Sequence, residues 1–419
     1  MLTSMRGVAA MLVIFHHVGL LMLPLRDTIV GPTLAAFGVL GMTLFFVLSG
    51  FVIHYNYAQK IDGEKSRGVL RFLVARFARL YPLFLIFIVI NFAGNLGLAI
   101  WTRNHLWPSI YLATLPFYLT GTQSWFYAVF HGVNLSVAQR YASVAWSIST
   151  EMFLYLLFIP IVLSGKFATS TARRGILILI IAIICRIAFV QMSQVSNLSS
   201  WLESSFGSSS ILPAQSWLIF YSPYGRCFEF FAGMGLAEIW LARHGKPVSH
   251  AEKAVIWFLG LAGIGYILLS FVSEVVFPGS VLFLGNALFK GYVIAVPAAL
   301  YFLCTAKGRV YTVLCAAPLL FIGEISYSLY LLHADLFPLL RVLPRAEFSH
   351  LIPEMLIKSS VFFILLFVLA WLSYRFVEMP ARKRVMKIGN SLLGERYKGA
   401  ELPLAAQEAS ATEKIRSTI

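Results

Sequence analysis

The sequence predicts an all-α polytopic membrane protein: a single bundle of about ten transmembrane helices with both termini cytoplasmic. Composition is the first observation behind this. Of 419 residues, 59% are hydrophobic and only 12% charged, with a mean hydropathy of +0.80, against about a quarter charged in a soluble globular domain. The second is run length. Several apolar stretches reach the ~20 residues that a helix needs to cross a hydrocarbon core, and alternating, barrel-type strands are absent. The third is the placement of positive charge. The formal net charge of +15 falls in short loops and near the C-terminus, the pattern of orientation bias and not of a nucleic-acid surface.

The apolar runs lie near residues 7–24, 36–58, 80–101, 144–163, 174–192, 215–242, 254–273, 281–304, 313–338 and 355–377, with a shorter one near 108–120. If the short run does not cross, the basic loop at 59–79 (Lys60, Lys65, Arg67, Arg71, Arg76, Arg79) shares a side with Lys166, Arg173 and Arg174. Arg243, Lys246 and Lys253 fall there too, as do Lys307, Arg309, Arg382, Lys383, Arg384 and Lys387. The opposite side keeps only Arg26, Arg103, Arg140, Arg341 and Arg345. The positive-inside rule selects this arrangement. Residues 102–143 then form a long outer loop whose Pro-containing apolar part is interfacial or re-entrant.

The first run continues to Leu23 without a small-residue cleavage site, so it reads as a span and not as a removed leader. Residues 1–388 are expected to form the transmembrane domain. Residues 389–419, polar and without strong periodicity, are expected to be a disordered cytoplasmic tail. Cys185, Cys227, Cys304 and Cys315 show no metal-type spacing and imply neither a disulfide framework nor a zinc site. No metal is expected.

A titratable side chain inside a span costs about 2.5–3.5 kcal/mol on insertion scales, so each is a candidate functional group. RGVAAMLVIFHH opens with Arg6 and reaches His17 eleven positions later. At about 100° per residue these two return to within roughly 20° of one helix face, separated by roughly 16 Å, half of a ~30 Å core. Arg6 therefore marks the cytoplasmic mouth and His17 the region of the midplane, a geometry suited to a long anionic donor. His16, about 100° round the helix, is a candidate for packing or for a hydrogen bond supporting catalysis.

RFLVARFARLYP carries Arg76 and Arg79 three apart on one face, and arginine suits bidentate phosphate binding. The second span holds Ser49 and Gly50 among further glycines, where small residues permit close approach of a helix or of a bound group. AWSISTEMFLY places Trp146, Ser149 and Glu151 near the outer end of the fourth span. Arg226 and Glu229, three apart in the sixth, either neutralise one another or meet a ligand. IGEISYSLYLLHAD puts His333 in the outer half of the ninth span.

Taken in order, RGVAAMLVIFHH, GMTLFFVLSGF, RFARLYP, AWSISTE and ISYSLYLLH followed by YRFVEMP resemble the acyltransferase-3 family of bacterial integral membrane acyltransferases, over Arg6 to about Arg384. The resemblance implies transfer of an acyl group, most often acetyl, from cytoplasmic acyl-CoA to a hydroxyl of an envelope carbohydrate. Arg6 and His17 match the family's Arg and His motif, and Arg76 and Arg79 its Arg-x-x-Arg pair, both held to serve the donor. Two departures stand out: Leu2-Thr3-Ser4-Met5-Arg6 lacks the acidic neighbour common before the arginine, and Glu378-Met379-Pro380 replaces Glu-Arg-Pro.

On this basis the expected protein is an O-acetyltransferase of the bacterial inner membrane, with acetyl-CoA as donor substrate and no permanently bound cofactor. Arg6, Arg76, Arg79, Ser49 and Gly50 are the donor-binding candidates. His17 is the expected general base, an imidazole whose ordinary pKa of about 6.5 suits proton transfer near neutrality, with Glu151 and His16 beside it. Trp146, Ser149, His333, Arg226 and Glu229 are the candidates for the acceptor, an exopolysaccharide, lipopolysaccharide or other envelope carbohydrate. An acyl-histidine intermediate is the alternative to direct transfer. A transporter or flippase of an envelope glycan is the competing class. A non-catalytic subunit of a polysaccharide assembly complex is a third, and association with such machinery or with a second copy stays open.

Overall fold

In the computed structural model most of the apolar runs are long helices. The structure describes residues 1–21, 30–130, 135–139, 142–165, 167–209, 212–243, 246–276, 284–305, 307–340 and 348–394. Arg26, Arg140, Lys166, Arg341 and Arg345, used above to orient the chain, lie outside the described residues, as do residues 395–419 of the expected tail. Among the described residues, eight helices are long and apolar enough to cross a membrane, and a ninth if the bent pair Ala317–Glu324 and Ser326–Leu340 is one span. Pro223–Ala242, within the expected sixth span, is 20 residues long and carries Arg226, Glu229 and Glu238. The all-α class is as expected: the described residues are helical apart from turns and one antiparallel pairing of Val129–Phe130 with Leu135–Ser136.

Helix α1 (Leu2–Leu21) leads to α2 (Val30–Glu64) and α3 (Ser66–Trp101). The last two contain 35 and 36 residues, roughly 50 Å each at 1.5 Å per residue, so they outreach a ~30 Å hydrocarbon core. Lys65 alone joins them, with φ of 50° in the left-handed region and its Nζ 2.5 Å from Asp62 Oδ1. The overhanging hairpin holds Arg67 and Arg71 beyond the apolar part, with Arg76 and Arg79 at its edge. The short run is α4 (Leu106–Thr120), whose 15 residues span only about 22 Å. It lies against α3 and stops at Gly121, a left-handed C-cap with φ of 68°.

Next come α5 (Trp146–Gly165), α6 (Ala172–Val195) and the short α7 (Leu198–Phe206). A π-helical turn at Trp217–Tyr221 leads into α8 (Pro223–Ala242), where Ser222 Oγ accepts from Gly225 N and Pro223 fills the first position, a combination that starts a helix abruptly. Helices α9 (His250–Val276) and α10 (Leu284–Thr305) pack on each other. Then α11 (Ala317–Glu324) and α12 (Ser326–Leu332) meet at a 55° bend and continue as the tight turns His333–Leu340. Finally α13 (Phe348–Ser373) passes through a π-helical turn at Tyr374–Glu378 into α14 (Met379–Leu392).

Long helices in lipid associate through close packing, not through water exclusion. At several crossings the packing is backbone on backbone, and two of them position the site. A Cβ on Gly7 would lie 2.8 Å from Gly323 N, and one on Gly323 would lie 2.1 Å from Thr3 O, so α1 presses directly on α11 beside Arg6. A Cβ on Gly50 would lie 1.9 Å from Phe230 O, so α2 presses on α8. Around them Leu48, Ile53, Phe72, Phe84, Phe158 and Phe230 are buried. A polar staple joins α2, α6 and α8: Glu238 Oε2 is 2.7 Å from His54 Nε2, and Glu238 Oε1 accepts from Thr171 N at 3.0 Å and from Arg174 Nε at 2.8 Å.

Candidate active site

Helices α1, α2, α3, α5 and α12 enclose a cavity of about 710 Å³, counting the part open to the outside. Its polar lining is contributed by Arg6, Ser49, Arg76, Arg79, Ser147 and Glu151, with Ser326, Tyr327 and Tyr330 on the α12 side. Three arginines thus face a single carboxylate in this wall. Arg6, only 6% exposed, is carried in by the Gly7–Gly323 crossing. Arg76 stacks its guanidinium over Tyr57 at 4.9 Å and Tyr155 at 5.9 Å, and its Nη2 donates to Tyr57 Oη at 3.0 Å. Its buried Nε has no hydrogen-bond partner among the described residues.

Glu151 is held by hydroxyls of α2 and α5. Its Oε1 accepts from Ser49 Oγ at 2.8 Å and from Tyr155 Oη at 2.5 Å. Two hydroxyl donors on one oxygen fix it as an acceptor, and the Arg76-facing Tyr155 links it to the arginines. Glu151 therefore stands with the donor-side candidates, and not against His17. Arg382, on α14, comes within electrostatic reach of Arg76 and Arg79, with Glu378 on the turn before it. Glu378 in turn accepts from Ser328 Oγ at 3.0 Å. Read as sequence, Arg382 is one more cytoplasmic anchor in a basic stretch; only the return of α14 along α3 brings it to the pair.

His17 is not part of the cavity lining. It belongs to a histidine cluster behind Tyr330, which forms part of the wall. The Tyr330 ring is 5.7 Å from Phe45 on the cavity side and 5.6 Å from His333 on the other. Its Oη accepts from Ser147 Oγ at 2.7 Å and donates to Val144 O at 3.1 Å. Behind it, His333 Nε2 is 3.2 Å from His17 Nδ1, and His333 Nδ1 donates to Tyr330 O at 2.6 Å. The His17 and His333 rings lie 5.1 Å apart, with Phe337 5.4 Å from each. His16 turns away, as its phase predicts: Nδ1 donates to Leu34 O at 2.8 Å, and its ring covers Gly38.

The other sequence candidates sit in the walls. Gly50 faces the Phe230 backbone and does not line the cavity. Trp146 is buried between Phe220 and Tyr221, with ring separations of 5.2 and 4.8 Å. Ser149 Oγ accepts from Ser124 N and Oγ at 3.1 and 2.8 Å, joining α5 to the segment after α4. Arg226 and Glu229 form a fully buried triad with Arg186, a partner from α6 that spacing within one helix cannot reveal. Glu229 Oε1 lies 3.1 Å from Arg226 Nη1 and 3.1 Å from Arg186 Nη2. Arg226 also stacks on Phe220 at 4.1 Å, and Arg186 Nη1 donates to Gly225 O at 2.6 Å. These contacts bind α6, α8 and the preceding turn together. No cluster of three or more metal-ligating side chains occurs among the described residues.

Residues 2–375 match the family described as an acyltransferase domain, acyltransferase-3. The peptidoglycan O-acetyltransferase OatA of Listeria monocytogenes is 24% identical over 353 residues, which is 83% of this chain and 51% of that protein. The O-acetyltransferase OatA of Staphylococcus aureus is 25% identical over 367 residues, 84% of this chain and 53% of that one. A third relative, protein 2 in the picA locus of Rhizobium radiobacter, is 38% identical over 87 residues, 20% of this chain and 40% of the other. The chain spans about half the length of the two O-acetyltransferases it matches. No solved structure matches. A match over nearly the whole helical bundle, including every residue lining the cavity, establishes that the chain belongs to the acyltransferase-3 family.

Proposed function

We propose that the protein is a membrane O-acyltransferase that moves an acyl group, most often acetyl, from acyl-CoA to a hydroxyl of an envelope carbohydrate. The observation that carries this reading is the convergence of Arg6, Arg76 and Arg79 on one cavity that holds a single carboxylate, Glu151. Such an excess of positive charge, with a buried Arg76 donor unsatisfied, suits the phosphates of a nucleotide thioester. Arg382 adds a further cation on the same side. The names of the O-acetyltransferase relatives support the reaction class.

In the proposed arrangement the protein lies in the inner membrane, with about ten spans and both termini cytoplasmic. Acyl-CoA enters between α2, α3 and α14, and its pantetheine arm runs past Ser49 and Tyr330 toward His17. His17 takes the proton of the acceptor hydroxyl as that oxygen attacks the thioester carbonyl. A C–O bond forms, the C–S bond breaks, and the imidazolium returns the proton to the leaving thiolate. The carbohydrate approaches from the outer side, where Ser124 and Trp125 bond to Ser149 of α5 and Tyr224 of α8 donates to Trp125 O. Purified protein tests the donor assignment: acetyl-CoA at about 100 times its Kd should stabilise the fold by about 2.7 kcal/mol, and no stabilisation by acetyl-CoA or CoA would contradict it.

A further inference from the structure

The histidine cluster behind Tyr330 has a direction written into its hydrogen bonds. A backbone carbonyl can only accept, so the 2.6 Å contact between Tyr330 O and His333 Nδ1 requires a proton on that nitrogen. In neutral His333 the other nitrogen, Nε2, then carries only a lone pair. That nitrogen lies 3.2 Å from His17 Nδ1, so Nδ1 of His17 must supply the proton between them. One ring proton is all that a neutral imidazole has. The lone pair of His17 is therefore left on Nε2.

We infer that His333 is a positioning residue: through its contact with the Tyr330 carbonyl it holds His17 in the tautomer protonated on Nδ1, leaving Nε2 as the nitrogen that accepts the acceptor's proton. This rests on the proposal that His17 is the base. The two rings come from opposite ends of the chain, 316 positions apart, and His333 is fully buried. It sits at the first position after α12, one helical turn beyond Tyr330, so the carbonyl that sets its tautomer also belongs to the residue forming the cavity wall. When Nε2 takes the acceptor's proton, the Nδ1–H bond to His333 becomes charge-assisted and shortens. The proton then passes from Nε2 to the leaving thiolate, and both rings return to their starting tautomers.

A neutral partner has a physical advantage at this depth. The base in many soluble enzymes is oriented by a carboxylate, but a carboxylate at the centre of a span costs about 2.5–3.5 kcal/mol to insert. Among the described residues, no carboxylate is hydrogen-bonded to His16, His17 or His333. An imidazole bonded to a carbonyl supplies the same acceptor without the charge.

Two measurements test the inference. The first is nitrogen NMR of the full-length wild-type protein, labelled on histidine and held in lipid nanodiscs, with the His17 ring identified by its loss in His17→Ala. The expected signal is Nδ1 protonated and Nε2 bare; a His17 ring protonated on Nε2 overturns the inference whatever the activity. The second compares His333→Gln with His333→Leu in membrane vesicles supplied with radiolabelled acetyl-CoA, following acetyl transfer to endogenous carbohydrate. Glutamine offers an acceptor oxygen near the place of Nε2, and leucine offers none. We expect His333→Leu to lose about 100-fold in kcat with KM for acetyl-CoA within about two-fold of wild type, and His333→Gln to recover at least ten-fold of that loss. Equal rates in the two variants overturn it. If the leucine variant does not fold, the NMR signal of the wild type still decides. Acetylation retained by His17→Ala would instead overturn the assignment of the base itself, so the two failures are distinguishable.

Discussion

Ser49 on α2 and Glu151 on α5, 102 positions apart in the chain, meet at 2.8 Å in the wall of the cavity that Arg6, Arg76 and Arg79 also line. Tyr155 Oη reaches the same carboxylate oxygen from one turn along α5. The contact sets the polarity of the site: the carboxylate is occupied by the protein's own hydroxyls, while the buried Nε of Arg76 has no hydrogen-bond partner among the described residues. The donor assignment depends on the three arginines converging on this one cavity.

Replacing Arg76 or Arg79 by Gln should therefore raise the Kd for acetyl-CoA. Removing one charged hydrogen bond is worth about 1.5–3 kcal/mol, or roughly 10- to 100-fold. Arg76→Lys should not restore binding, because a lysine cannot stack between Tyr57 and Tyr155 as the planar guanidinium does. Titration of the thermal midpoint with acetyl-CoA measures both, and unchanged affinity in Arg76→Gln and Arg79→Gln would remove the arginines from the donor site.

Glu151→Leu should destabilise the protein even without donor. Both Ser49 Oγ and Tyr155 Oη would be left as buried donors without an acceptor, at about 1–3 kcal/mol each. Glu151→Gln keeps an acceptor oxygen and should recover most of that loss. Unfolding midpoints of the two variants in the same detergent check the difference, and equal midpoints would refute it.

Glu229→Leu leaves Arg186 and Arg226 buried with no counter-charge, and breaking a buried pair on one side costs about 3–5 kcal/mol. The expected outcome is loss of folded protein, with any folded fraction still stabilised by acetyl-CoA. A well-folded Glu229→Leu protein that fails only in acetyl transfer would mean that the triad serves the acceptor instead of the fold.

Gly50→Ala should lower the unfolding midpoint, since its new methyl would lie 1.9 Å from Phe230 O and force α2 off α8. Gly63→Ala is the matched control on the same helix, because nothing lies within 4 Å of a Cβ there. Equal stability of the two variants would show that the α2–α8 crossing tolerates more space than its geometry implies.

Much of this organisation is legible in the sequence. Run length and charge placement lead to a helical membrane bundle, and helical phase alone puts Arg6 and His17 on one stripe of α1 and turns His16 away. What the stripe faces is not legible. The Tyr330 ring that separates Arg6's cavity from His17, and the His333 ring that meets His17, arrive from a helix more than 300 positions later, through a 55° bend at Ile325. The Arg226–Glu229 spacing announces a local pair but hides Arg186, because the third member comes from another helix. Arg382 looks like a topological anchor until α14 folds back along α3. In each case the periodicity of one helix gives direction, and the missing information is which neighbour stands there.

The central claim is that His17 performs the chemistry while the arginine-lined cavity holds the donor, so the two functions should separate in one variant. His17→Ala, purified and compared with wild type, should retain stabilisation by acetyl-CoA while its membranes lose transfer of radiolabelled acetyl groups to carbohydrate by at least 100-fold. Acetyl transfer at the wild-type rate in that variant would contradict the account.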